Sequence, residues 1–144
     1  MGQPFGGEVL TFEEYRKVEN AYVASALRFL TEAGLNSLKV TSLETKNLSG
    51  VEKSRLADIP FEPNLVEEGM SASDETLESI CRLVLREVLW CRLESQEGFY
   101  IHFGWDYYMY VGSTVPSEKS VLYGRQRSLF IEAVRSPYLS RAEA

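Results

Sequence analysis

The stretch Phe99-Tyr100-Ile101-His102-Phe103-Gly104-Trp105-Asp106-Tyr107-Tyr108-Met109-Tyr110-Val111 decides the fold class. Its aromatic and β-branched side chains suit a pleated, half-buried surface. The runs Phe99–Phe103 and Tyr107–Val111 flank Gly104-Trp105-Asp106, and this spacing predicts a tight hairpin. A three-residue loop would pair Phe103 with Tyr107, Ile101 with Met109 and Phe99 with Val111 on a mostly apolar face. The other face would set Tyr100 beside Tyr110, and His102 as a partly exposed neighbour of Tyr108. Just upstream, Val88-Leu89-Trp90-Cys91-Arg92-Leu93 also alternates, which predicts a preceding strand with Leu93 opposite Phe99. Leu89, Cys91 and Leu93 then join the apolar face, and Trp90 and Arg92 join the Tyr/His face. A slip of one residue would exchange the two sets.

The flanks supply helices. Thr11 and Glu14 have capping-box spacing. Tyr15, Val18, Tyr22, Ala26, Phe29, Leu30 and Ala33 then recur at three and four, predicting one long helix that stops at Gly34. Leu38 to Thr45 reads as a strand. Residues 48–72 contain Gly50, Pro60, Pro63 and Gly69 and read as a long acidic connection with at most a short helical turn. Ser73, Glu75 and Thr76 open a second helix that buries Leu77, Ile80, Cys81 and Val84. A third helix is expected over about 117–127, with its register weakened by Gly124. A last strand is expected over 128–134, closed by Ser136-Pro137. The order α, β, loop, α, β, β, β, α, β implies one α+β domain over residues 1–144. Its sheet would be largely antiparallel, of about four to five strands, with the long N-terminal helix and further helices packed on it. Residues 1–10 read as flexible.

The 144 residues carry 15 Lys and Arg against 21 Asp and Glu, a net charge of −6. That balance disfavours nucleic acid and anionic membrane as partners, because both need a basic face. No run is long and apolar enough to span a bilayer, and the first residues carry neither a basic n-region nor an apolar h-region. The expectation is a cytoplasmic protein. Charge is uneven along the chain. Between Arg55 and Arg82 lie Asp58, Glu62, Glu67, Glu68, Asp74, Glu75 and Glu78, with no base among them. As a solvated loop this segment serves solubility; as a docking surface it would attract a basic partner.

Chemistry-bearing residues are few. Cys81 and Cys91 are the only thiols and His102 the only imidazole, too few for an ordinary Cys/His zinc site. Both cysteines lie among apolar neighbours and read as buried small hydrophobes. The alternation sends Cys91 and His102 to opposite sheet faces, against a Cys–His dyad. No phosphate loop, nucleophile elbow or His-Glu-x-x-His motif occurs. No catalytic residue, cofactor or metal is therefore assigned. The Tyr/Trp/Arg/His face has the composition of an interface hot spot. It is either covered by a helix or open to a partner.

The run Leu85-Arg86-Glu87 through Trp90-Cys91, then Ile101 through Val111, then Leu129-Phe130-Ile131-Glu132 with Ser136-Pro137-Tyr138, resembles small bacterial immunity proteins of polymorphic or contact-dependent toxin systems. The resemblance covers residues 73–139; the N-terminal helix matches only in type. It implies a non-enzymatic cytosolic inhibitor that binds one cognate toxin tightly, and the acidity suits a basic nuclease toxin. No functional residue is carried over from that family. The candidate partner-binding surface joins Glu62, Glu67 and Glu68 to Trp90, Tyr100, His102, Tyr108 and Tyr110, with Trp105 and Asp106 at the hairpin tip. The competing expectation is a small enzyme or ligand-binding domain with a Tyr/His-lined pocket, in which His102 and Asp106 converge.

Overall fold

The computed structural model describes residues 13–50, 52–104, 109–113, 117–126 and 129, together with the backbone of residues 4, 5, 8, 9, 12 and 51. Two short strands, β1 (Pro4–Phe5) and β2 (Glu8–Val9), pair antiparallel within the segment expected to be flexible. Then follow α1 (Phe12–Glu32), β3 (Ser37–Thr45), α2 (Gly50–Ser54), a 3-10 turn (Pro63–Leu65) and β4 (Ser71–Ser73). The chain continues with α3 (Asp74–Leu85), β5 (Leu89–Glu94), β6 (Tyr100–Phe103), β7 (Met109–Gly112) and α4 (Glu118–Gln126). The main sheet has five antiparallel strands in the order β4-β3-β5-β6-β7. This is the expected α+β class. Within the connection expected to be irregular, Ser71–Ser73 adds an edge strand to β3. Of the last expected strand only Leu129 is among the described residues. Thr11, Trp105, Asp106, Tyr107, Tyr108 and Ser136-Pro137 lie outside them.

Alternation along the strands decides what is buried. Leu38 and Val40 on β3, Leu89, Cys91 and Leu93 on β5, and Ile101 and Phe103 on β6 are buried in one core. Leu77, Ile80, Cys81 and Val84 of α3 meet them, while Ser79, Leu83 and Leu85 are buried as well. A helix buried nearly all round needs cover on both sides. The sheet supplies one side, and α1, which also packs on α4, supplies the other.

Two sequence expectations are corrected in register. The structure pairs Ile101 with Val111, His102 with Tyr110 and Phe103 with Met109. It pairs Leu93 with Ile101, not with Phe99. Each pairing moves by two residues: residues 104–108 separate Phe103 from Met109 where a three-residue loop was expected, and residues 95–99 separate Glu94 from Tyr100. An even shift preserves side-chain parity, so every residue stays on its expected face. Along α1 the buried positions are Tyr15, Glu19, Val23, Ser25, Ala26 and Leu30, whereas Val18 is 38% exposed. The true stripe runs one residue beside the expected Val18 and Tyr22 and contains an acid. Gly34 follows the helix at φ +79°, the left-handed stop read from the sequence.

Candidate functional site

On the sheet face away from the core, two cross-strand rows lie side by side. One runs Lys39, Glu94, Tyr100, Gly112, and the other Thr41, Arg92, His102, Tyr110. The Glu94 carboxylate ties them together. Its Oε1 accepts from the Thr41 hydroxyl at 2.9 Å, and its Oε2 lies 2.8 Å from His102 Nε2. The Tyr100 ring stacks on His102 with centroids 4.3 Å apart. A Cβ on Gly112 would collide with the Tyr100 ring, so glycine is what lets Tyr100 lie there. Trp90 Nε1 donates to the Phe103 carbonyl at 2.9 Å and fastens the end of β6. His102 is fully buried, which corrects its expected partial exposure.

Near the β4 end of this face an open cleft of about 440 Å³ is lined by Ser37, Lys39, Thr41, Ser71, Glu94 and Glu97, among others. His102 is not in the lining; it stands behind Glu94. Asp106, its expected partner in a pocket, lies outside the described residues. Among the described residues, no cluster of His, Cys, Asp and Glu could hold a metal ion.

The acidic connection is built differently. Val66 and Ile59 are buried anchors. Leu65 N–H donates to the Glu62 carbonyl at 3.0 Å and Val66 N–H to that of Pro63 at 3.2 Å. Strand β3 breaks register between Thr41 and Glu44, with Ser42 at φ +54°. The freed N–H groups of Ser42 and Leu43 both donate to the Glu68 carboxylate, at 3.1 and 2.8 Å. Successive backbone donors of this kind form an anion cradle, here filled by the chain's own glutamate. Gly69 N–H and the Val40 carbonyl close the attachment at 2.8 Å. Leu65, 55% exposed, is thereby held out on a fixed turn between Glu62 and Glu67, both exposed.

The expected site residues thus fall into separate groups. Tyr100, His102 and Tyr110 share one face, and Trp90 stands on the same face of β5. Glu68 reaches β3, three strands from β7, which is about 14 Å at ordinary strand spacing. Trp105 and Tyr108 lie outside the described residues.

Sequence inspection missed the densest ionic cluster. Glu19 on α1 is fully buried and accepts from Arg82 Nη1 at 2.7 Å and from Arg86 Nε and Nη2 at 2.8 and 2.9 Å. Arg86 also holds Asp58 in a two-point contact at 2.8 and 2.7 Å, Arg82 bonds Glu78 at 2.9 Å, and Arg16 pairs with Asp58 at 3.0 Å. Burial by itself would raise the Glu19 pKa, but hydrogen bonds from Arg86 and Arg82 hold it below the usual carboxylate value. The Arg86 hydrogen bond lowers Asp58 as well. The available signal was an acid in the apolar stripe of one helix and two arginines four apart, one in the last turn of α3 and one at its C-cap.

The thiols are unsuited to nucleophilic work. Burial pushes Cys91 up to about 12 and raises Cys81 as well, and the thiolate is the reactive form. No helix among the described residues is long and apolar enough to cross a membrane. Compared with protein-family models, curated proteins and solved structures, the chain gives no match in any of the three.

Proposed function

We propose that this chain is a non-enzymatic, cytoplasmic binding protein. In this reading it is an immunity protein that neutralises a cognate bacterial toxin, with a basic nuclease-type domain as partner. The supporting observation is Leu65, more than half exposed between Glu62 and Glu67 on a turn pinned by Val66 and Glu68. An exposed apolar side chain between two exposed glutamates in the sequence offers contact area to a partner and long-range attraction to a basic one. A fixed loop also loses little entropy on docking. The buried, hydrogen-bonded His102 and the two raised thiols fit binding better than catalysis.

The test begins with capture of a partner at low salt, followed by association kinetics on the isolated pair. Reversing charge at Glu62 and Glu67 should slow association about tenfold or more at low salt, with the difference shrinking as salt rises. Leu65→Ala should chiefly speed dissociation. Association that ignores both charge reversals together with dissociation that ignores Leu65→Ala would refute this surface, and a captured partner without a toxic domain would refute the immunity role.

A further inference from the structure

We infer that the cleft at the β4 end of the sheet is a binding site for a small amino-acid zwitterion. It is independent of the docking surface at Leu65. Lys39 and Glu94 stand directly opposite each other on β3 and β5. Opposite charges so placed ordinarily pair across the strands. Here they do not. Glu94 is turned away, one oxygen on the Thr41 hydroxyl and the other on His102. Lys39 makes no ion pair among the described residues. The lining thus presents a lysine ammonium and a fixed carboxylate that do not neutralise each other.

The carboxylate is held from behind. His102 is fully buried and stacked on Tyr100, and Thr41 grips the second oxygen, so Glu94 keeps its orientation without a ligand. Supported first-contact groups of this kind characterise binding sites, because little ordering remains to be done on binding. Each carboxylate oxygen has a second lone-pair direction for a further donor. A ligand of one sign meets a like charge somewhere in this lining: a pure cation faces Lys39, and a pure anion faces Glu94 and Glu97. A zwitterion matches both, with its carboxylate on Lys39 and its ammonium or guanidinium on Glu94. The hydroxyls of Ser37 and Ser71 can satisfy its remaining polar groups.

The test is a titration of the isotope-labelled protein followed by amide chemical shifts, with L-arginine as probe. Agmatine, which lacks the carboxylate, and acetate, which lacks the cation, are the controls. L-arginine should produce saturable shifts centred on Lys39, Ser71 and Glu94, with Kd near or below about 1 mM. Agmatine and acetate should bind at least about tenfold more weakly. Lys39→Met should bring L-arginine down to the level of agmatine, and Glu94→Gln should weaken both. Each variant's amide spectrum must remain that of the folded protein. No saturable shift up to about 20 mM would overturn the proposal. So would equal binding of L-arginine and agmatine, or L-arginine binding that survives both Lys39→Met and Glu94→Gln.

Discussion

Two polar assemblies flank the core, and they differ in how their charges close. Between α1 and α3, Glu19, Asp58 and Glu78 meet Arg16, Arg82 and Arg86. The signs balance within the cluster. Across the sheet, Glu94 is held by Thr41 and His102 while Lys39 opposite stays without an ion pair among the described residues. The first arrangement completes the fold; the second leaves charge facing an open cleft. A buried charge that is fully matched serves architecture, since its removal strands its partners in low dielectric. A lysine left without an ion pair beside a carboxylate held in place by its neighbours is available to a ligand.

The largest expected effect falls on the closed cluster. Glu19→Ala should cost about 3 kcal/mol in urea unfolding, because Arg82 and Arg86 keep their burial and lose their shared acceptor. Pairing it with Arg86→Met should recover part of that loss in a double-mutant cycle, whereas additive losses would show that the two do not act together. Next comes Gly112→Ala, expected to cost about 1–3 kcal/mol because the Tyr100 ring must leave His102. A neutral result would show that the stacking of Tyr100 on His102 is optional. Glu68→Ala should cost about 1 kcal/mol by freeing the Ser42 and Leu43 amides. Hydrogen exchange at those two amides would register the change directly. The smallest effect is expected for reversal of Glu62 and Glu67, within about 0.5 kcal/mol. A larger stability change there would move these residues from docking to architecture.

Acid should loosen the closed cluster. Glu19 and Asp58 have pKa values lower in the folded than in the unfolded chain. The unfolded state therefore binds more protons, and their contribution is complete at neutral pH. It is lost as pH falls below the ordinary carboxylate range, near about pH 4. Urea midpoints should stay level from about pH 7 to 5 and then drop, less steeply in Glu19→Ala.

Much of this was legible in the chain and some was not, for physical reasons. Side-chain parity is a property of each strand alone, so the faces of Tyr100, His102, Cys91 and Leu93 were readable even with the hairpin register two residues off. Loop length was not, because Gly104-Trp105-Asp106 resembles a short turn and nothing local forbids a longer one. The stripe of α1 was read from apolarity alone. That criterion passes over Glu19, whose burial depends on arginines more than sixty residues away.

The sequence by itself determined the α+β class, the main helices and strands, the burial of both cysteines and the acidity of the segment after Arg55. These follow from periodicity, composition and charge, which are local quantities. Only the tertiary structure decided that Glu68 plugs the β3 bulge and that Glu19 is buried under two arginines. It also decided that Lys39 and Glu94 face each other without pairing. Each of these depends on which distant group arrives to complete a hydrogen bond or leave one open, and that is fixed only when the layers pack.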